Sequence, residues 1–152
     1  MTQNARPAIN GVHHFKLAVG DLARALGFYE RVLGAQRIPA LDHRHREGGS
    51  LYAHICDVPG LGSKLELRLN TERASKNCGF DPVTIAVENR ETLNRWVAYL
   101  DGLGIAHSPV VTAIQAWLVV FDDPDGNRLR FYTLETHGPE LAPDENNPWV
   151  QS

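Results

Sequence analysis

Ionisable side chains alternate with apolar ones in three short stretches of the sequence. The first stretch contains His14 and Lys16, the second contains Glu66 and Arg68, and the third contains Arg130. A period of two is typical of a β-strand with one buried face, so the ionisable groups of each stretch should share the open face. Imidazole, carboxylate and guanidinium groups can bind an anionic or carbonyl oxygen, transfer a proton or contribute to a metal site.

The elements that would position these groups follow a simple order. The first stretch lies in a predicted strand at 12–19, and Asp21 is placed to cap a helix by accepting from its free amides. An apolar stripe at helical spacing runs from Leu22 to Leu33, and Gly34 is placed to end the helix. Three further strands are predicted at about 35–41, 50–57 and 64–69.

The same order begins again near residue 80. Val83, Ile85 and Val87 alternate as in a strand, Asn89 is placed to cap a second helix, and Gly104 is placed to end it. Strands at about 105–111, 115–122 and 128–134 follow. The repeated order of strand, helix and three strands predicts one unit built twice.

We therefore predict an α+β fold in which two βαβββ modules form a curved mixed sheet around a central cup. The first module comprises residues 10–70 and the second residues 81–134, with a linker at 71–80 and a C-terminal tail at 135–152 that Trp149 could anchor. Each helix covers one face of its sheet and leaves the other open. The cup between the two open faces is where a ligand would bind.

Strand parity assigns side chains to the cup. If the apolar residues of strand 12–19 face the helices, parity places twelve side chains on the cup side. They are His14, Lys16, Ala18, Lys64, Glu66, Arg68, Pro82, Thr84, Ala86, Arg128, Arg130 and Tyr132. His54 either lines the cup or forms a hydrogen bond within its strand, and Trp117 either stacks on a ligand or belongs to the core. His43 and His45 belong either to a solvated loop or to a lid at the cup mouth.

The composition is that of a globular protein and argues against several classes of partner. The 152 residues are 43% hydrophobic and 22% charged, with a formal net charge of -3, which gives no basis for binding nucleic acid or a membrane. No apolar run approaches the ~18 residues needed to span a bilayer, and the first residues lack the apolar stretch of a signal peptide. We expect a cytoplasmic protein in which Cys56 and Cys78 are reduced thiols.

Two motifs resemble those of a known family. The stretch Gly11–Leu22, with Phe28-Tyr29 and Val32-Leu33-Gly34 after it, resembles the opening of vicinal oxygen chelate proteins, the glyoxalase/bleomycin resistance protein/dioxygenase group. The stretch Asp123–Tyr132 resembles their closing hairpin, and the resemblance covers residues of about 10–135. The family includes isomerases, dioxygenases, epimerases, thiol transferases and drug-sequestering proteins, so the resemblance implies the glyoxalase/bleomycin resistance fold and leaves the activity open.

The resemblance also implies where a metal would bind. The family takes its ligands from the first and fourth strands of each module, which correspond to His14 and Glu66 in the first module. In the second module the same positions hold Pro82 and Arg130, neither of which is a ligand. We therefore expect no metal cofactor. The alternative is a divalent ion (Fe, Mn, Ni or Zn) bound through His14, Glu66 and atypical donors.

Arg130 brings a permanent positive charge to the place where relatives hold a cation. Two unit charges ~4 Å apart repel by ~4 kcal/mol at an effective dielectric constant of ~20, so a guanidinium and a metal would compete. Arg130 is expected to pair with Glu66. The pair is either a purely structural one, or Arg130 acts with Lys16 or Arg68 to hold an anionic or carbonyl oxygen of a ligand.

Three functions are consistent with these residues. The first is a metal-independent protein that binds an aromatic or anionic small molecule, as a homodimer whose modules pair within one chain or are swapped between two. The second is a metal-dependent lyase, isomerase or dioxygenase with donors such as Asp81, His54 or Asp57. The third is a metal-free enzyme with His14 as the base and Arg130 as the oxyanion partner. In either enzyme, the candidate catalytic residues are His14, Glu66 and Arg130.

Overall fold

The computed structural model describes residues 5–151, and it contains the two predicted modules. The first module comprises β1 (His14–Val19), α1 (Leu22–Leu33), β2 (Gln36–Arg37), β3 (His43–Arg44), β4 (Leu51–Asp57) and β5 (Lys64–Leu69). A short helix, α2 (Thr71–Lys76), leads to the second module, which comprises β6 (Val83–Val87), α3 (Arg90–Gly102), β7 (Val111–Thr112), β8 (Trp117–Asp122) and β9 (Arg128–Thr133). None of the helices in this range is long and apolar enough to cross a membrane.

The two sheets have the same topology. The first sheet has the order β1-β5-β4-β2, with β3 also paired to β4, and the second has the order β6-β9-β8-β7. In both, the first strand of the module runs parallel to the last. Lys16 pairs with Glu66 in the first sheet, and Thr84 pairs with Arg130 in the second. The register therefore makes Glu66 and Arg130 equivalent positions of the repeated unit.

Local capping signals fix the ends of the two long helices as predicted. The Asp21 side chain accepts a hydrogen bond from the Arg24 amide at 2.8 Å, and the Asn89 side chain accepts one from the Thr92 amide at 2.8 Å. Gly34 follows α1 in the left-handed conformation, with φ of 67°, and its amide reaches back to carbonyls of the last turn. Both helices thus begin and end where a side chain or a glycine satisfies the free backbone groups.

Three of the predicted segments differ from the structure. The predicted linker at 71–80 contains α2, a helix capped by the Asn70 side chain in which only Ala74 is buried, so it has no apolar stripe to reveal it. The predicted strands at 35–41 and 105–111 shorten to two-residue pairings. Each contains a proline, Pro39 or Pro109, which cannot donate to a neighbouring strand.

The two modules pack through their helix-covered sides into one hydrophobic core. Phe28 of α1 contacts Phe121 of β8, with 6.4 Å between ring centroids, and Phe121 contacts Phe131 of β9. Trp96 of α3 stacks on Phe131 at 4.3 Å. Leu17 and Leu67, which lie on the helix side of the first sheet, are fully buried in the same cluster. The core therefore uses the helix side of both sheets, and it leaves the other side of each sheet outside.

A buried carboxylate at the β8–β9 turn joins the two modules. One oxygen of Asp123 accepts from the amides of Asp125 and Asn127 at 2.9 Å each. Its other oxygen accepts from the Tyr29 hydroxyl of α1 at 2.7 Å and from the Asn127 side-chain amide at 2.9 Å. Burial raises the pKa of Asp123, while the hydrogen bonds from Asn127 and Tyr29 oppose that rise. Burial and the Asp123 charge together raise the pKa of Tyr29, which stays a hydrogen-bond donor.

The same turn also contacts the β1–α1 connection. Asp125 accepts from the Gly20 amide at 2.9 Å and from the Arg24 guanidinium at 3.0 Å. Asn127 donates to the Ala18 carbonyl at 3.1 Å. Gly126, at φ of 81°, lies against Cys78, where an added Cβ would come within 2.6 Å of the thiol. The turn at 123–127, which we call the inter-module turn, thus holds the second module against the first through side chains that point inward.

Replacing Asp123 should therefore destabilise the whole molecule. Asp123→Ala leaves the Tyr29 hydroxyl and two backbone amides without their acceptor, and we expect the free energy of unfolding to fall by about 3 kcal/mol. Urea unfolding followed by circular dichroism measures the change. Glu72→Ala is the control, because the Glu72 side chain is exposed on α2 and its loss should cost under about 0.5 kcal/mol. Equal losses in the two variants would show that the inter-module turn is not important for stability.

Candidate functional site

The open face of the first sheet gathers the ionisable side chains that the alternation predicts. The strand register sets His14 beside Lys64, Lys16 beside Glu66, and Ala18 beside Arg68. The five ionisable side chains line a cavity of about 500 Å³, together with His13, Leu41, His43 and Ile55. Lysine and arginine side chains therefore outnumber carboxylates here.

Glu66 is buried at the centre of this cavity. One carboxylate oxygen accepts a hydrogen bond from Arg68 at 3.3 Å, and the other lies 3.7 Å from the Nδ1 atom of His43. Lys64 pairs with Asp57 at 2.8 Å. Among residues 5–151, Lys16 has no carboxylate within ion-pair distance. The first open face therefore leaves one ammonium group available to an anion.

His43 reaches the cavity because β3 pairs with β4 in a register that sets His43 beside Ala53, which in turn pairs with Arg68 of the open face. In the segment between β2 and β4, Asp42 is a buried anchor: its side chain is 5% exposed, forms an ion pair with Arg37 and bonds to the Nδ1 atom of His54 at 3.0 Å. The hydrogen bond from Arg37 holds the pKa of Asp42 well below its usual range. These contacts fix the neighbouring Leu41 and His43 against the cavity, so His43 lies at the cup, one of the two positions expected for it. His45 packs on the Tyr52 ring at 4.5 Å.

The structure places His54 on the other side of the sheet from the cup. His54 pairs in register with Leu67, a core residue, whereas Ile55 pairs with Glu66 and lines the cavity. Of the two interpretations of His54, the hydrogen-bonded strand histidine is therefore the one observed. The alternation around β4 was ambiguous because Tyr52, His54 and Cys56 share one parity, and polar and buried residues occur on both.

The open face of the second sheet forms a separate cavity of about 440 Å³. It is lined by Asp81, Thr84, Leu118, Arg130 and Tyr132. The Arg130 guanidinium is 16% exposed and donates to Asp81 at 2.5 Å. The expected Arg130–Glu66 pair is not formed within one chain, because the modules meet through their helix sides and each open face lines its own cavity.

Trp117 lies in the core and not on the open face. It is buried on the helix side of β8, with the Arg90 guanidinium 5.1 Å from its ring centroid and His137 packed against it. The aromatic groups on the open face of the second module are Tyr132 and a residue of the tail, Trp149. The core interpretation of Trp117 is therefore the one observed.

The donor set of the repeated positions does not fit a divalent metal ion. The register makes Pro82 the equivalent of His14 and Arg130 the equivalent of Glu66, so one module offers two donors and the other offers none. The atypical donors suggested by the sequence have other partners: Asp81 binds Arg130, Asp57 binds Lys64 and His54 binds Asp42. Within residues 5–151, no three metal-ligating side chains are grouped to hold an ion.

The fold and the repeated modules define a class of protein. Residues 11–131 match the family model described as the Glyoxalase/Bleomycin resistance protein/Dioxygenase superfamily, and the chain belongs to this superfamily. A comparison with curated protein sequences gave no match. The predicted family and the predicted fold class are confirmed.

Solved structures with the same fold differ in what they bind. TnmS3, an antibiotic-binding protein from Streptomyces sp. CB03234, has a TM-score of 0.64 at 18% identity, over 84% of this chain and 98% of its own. A glyoxylase/bleomycin resistance protein/dioxygenase domain from Frankia sp. EAN1pec has a TM-score of 0.65 at 22% identity, over 83% and 98%. The fosfomycin resistance protein FosX from Listeria monocytogenes, in a complex with Mn(II) and 1S,2S-dihydroxypropylphosphonic acid, has a TM-score of 0.66 at 16% identity, over 88% and 98%.

The Asp42 anchor should make stability depend on pH in acid. A carboxyl with a folded pKa below its unfolded value contributes stability that is complete above about pH 4 and is lost as the pH falls through the folded pKa. The slope of the unfolding free energy against pH reports the difference in bound protons between the unfolded and folded states. In Asp42→Asn, this difference below about pH 4 should therefore decrease by up to about one proton. Urea unfolding at a series of pH values measures this slope. Arg37→Gln, which removes the main cause of the shift, should reproduce part of the effect, and parallel slopes in all three proteins would contradict it.

Proposed function

We propose that this chain is a metal-independent binding protein that holds an anionic aromatic small molecule between the open face of its first module and that of the second module of another copy. The observation that carries the proposal is the equivalence of Glu66 and Arg130 in the repeated register. A guanidinium stands where a second acidic metal ligand would be needed. The guest is therefore recognised by fixed positive charges and hydrogen bonds.

Three cationic side chains give the guest its expected charge. Lys16 and Arg68 lie on the first open face and Arg130 lies on the second. Guanidinium groups bind carboxylate, sulfonate or phosphonate oxygens through paired hydrogen bonds, and the low exposure of Arg130 reduces screening by solvent. Glu66 and Asp81 neutralise two of these three charges, so the cup favours a guest with one negative charge.

Aromatic side chains and apolar walls support an aromatic body for the guest. Tyr132 and Leu118 line the second cavity, and Leu41 and Ile55 line the first. Small-molecule sites typically combine an apolar lining with a few placed polar groups that fix orientation, as both cavities do. TnmS3, which binds an antibiotic, has the same fold and supports a binding role for such a cup.

A complete cup requires a second copy of the chain. Each cavity is lined by one module, and the inter-module turn holds the two modules with their helix sides together. In the proposed homodimer, the first module of one chain faces the second module of its partner, and each of two cups combines Lys16 and Arg68 from one chain with Arg130 from the other. Such a two-fold arrangement is the commonest form of soluble oligomer. We place this dimer in the cytoplasm, where Cys56 and Cys78 would stay reduced.

Metal analysis tests whether the protein binds a metal ion. We expect the purified protein to carry only substoichiometric Mn, Fe, Ni or Zn by plasma mass spectrometry, because Arg130 repels a cation. The double variant Pro82→His with Arg130→Glu supplies two donors and should gain Mn(II) binding in calorimetry. Arg95→Glu is the matched control, since it adds the same charge on α3, away from the cup, and should gain none. Stoichiometric metal bound through His14 in the unsubstituted protein would overturn the proposal and favour an enzyme.

Mixed dimers test the shared cup. A fluorescent aromatic anion, anilinonaphthalenesulfonate, should bind the unsubstituted protein, and Lys16→Gln with Arg68→Gln in one chain or Arg130→Gln in another should each weaken binding by about tenfold or more. A refolded mixture of the two variant chains should regain one intact cup in each mixed dimer, because one chain retains its first module and the other retains its second. Recovery of binding supports a cup that is shared between two chains. If the mixture binds the probe as weakly as either variant alone, each chain forms its cup by itself.

A further inference from the structure

The C-terminal tail crosses the open face of the second module. The His137 amide donates to the Gln115 carbonyl at 2.8 Å, and the Asp144 amide donates to the Thr112 carbonyl at 2.9 Å, so the tail follows the β7 edge. At its end, Trp149 and Val150 pack on the buried cluster of Val111, Leu118 and Val120, as Tyr132 does. The family match ends at residue 131, so this segment lies outside the matched residues.

The strand register shows that the tail covers the ligand side of the sheet. Val120 pairs with Arg130 and Leu118 pairs with Tyr132, so all four point to the open face. Val120 is nevertheless completely buried, at 0% exposure, and Leu118 is 6% exposed. The apolar outer part of the open face is thus filled by the chain itself, while the part beside Arg130 and Thr84 remains a cavity.

Arg128 fixes the end of the tail at this place. Its Nη1 atom donates to the Trp149 carbonyl at 3.0 Å, and its guanidinium lies 5.5 Å from the centroid of the Trp149 ring. Its Nε atom donates to Asp122 at 3.0 Å, which holds the guanidinium in position on β9. The Arg128 side chain therefore makes a hydrogen bond and a cation–π contact to one residue of the tail, while its ion pair with Asp122 holds it on the sheet.

We propose that residues 135–151 form a wall of the binding cup, in which Trp149 occupies the apolar outer part of the open face and limits the guest to a compact ring system beside Arg130. This inference rests on the proposed function and adds a determinant of guest size. Trp149 packs on the cluster that contains Leu118, and Leu118 also lines the cavity beside Tyr132, so a guest with a bulky substituent has to compete with the indole for this surface.

Two probes that differ by one ring test the wall. Naphthalenesulfonate is compact, and anilinonaphthalenesulfonate carries an additional phenylamino group. In Trp149→Ala, we expect the dissociation constant of the larger probe to fall by about tenfold and that of the smaller to change by less than about twofold, because only the larger reaches the uncovered surface. Leu141→Ala is the matched control, as Leu141 lies in the tail outside the apolar cluster, and it should leave both constants unchanged.

A second substitution shows whether the larger probe binds in the cup or only on the surface that Trp149→Ala exposes. When Arg130→Gln is added to Trp149→Ala, the gain in affinity for the larger probe should be lost, because the sulfonate loses its partner. Arg128→Gln releases the tail without changing the indole and should reproduce the gain. It replaces Trp149→Ala in this test if that variant does not fold. A gain that survives Arg130→Gln, or an unchanged preference in both Trp149→Ala and Arg128→Gln, overturns the wall while leaving the proposed function intact. If neither probe binds in an Arg130-dependent way, both proposals fail together.

Discussion

The buried carboxylate of Asp123 sets the geometry on which the other features depend. Its four hydrogen bonds order the inter-module turn and connect that turn to Tyr29 of α1. Two modules with one helix each could associate in several ways, and an apolar core alone distinguishes poorly among them. A buried acceptor needs all of its donors at defined distances, so it selects one arrangement. That arrangement places the helices inside and the ionisable strands outside.

The charges of the two open faces follow from the different residues at equivalent positions. Glu66 is buried between the Arg68 guanidinium and the His43 imidazole, and Arg130 is paired with Asp81. On each face, the most buried charged group is thus paired with a neighbour in the same module. This pairing limits the free-energy cost of removing that group from water. The remaining ammonium group of Lys16 is then the one that a guest can neutralise.

The sequence predicted those features that arise from local chemistry or from repetition. Asp21, Asn89 and Gly34 acted as helix ends because caps satisfy backbone groups within a few residues. The equivalence of Glu66 and Arg130 followed from counting along two copies of one unit. The side-chain partner of Arg130 was harder to predict. Asp81 and Glu66 were both possible partners, and a contact with Glu66 depends on how the modules associate.

Features that depend on long-range backbone paths were not predictable. His43 enters the first cavity because Asp42 is held by Arg37 and His54, an arrangement that no periodic pattern encodes. The position of Trp149 on the second open face depends on the route of a tail with no regular secondary structure. Trp117 fits either side of β8 by composition, and only the packing of Arg90 and His137 around it decides that it is buried.

The segment that carries His43 and the tail that carries Trp149 have one property in common. Each is fastened to its sheet by its own anchor, Asp42 in one case and Arg128 in the other. Changes in either segment that keep its anchor therefore leave the shared core untouched. In evolutionary terms, this scaffold can acquire preferences for new compounds by exchanging its borders, with little cost to its folding.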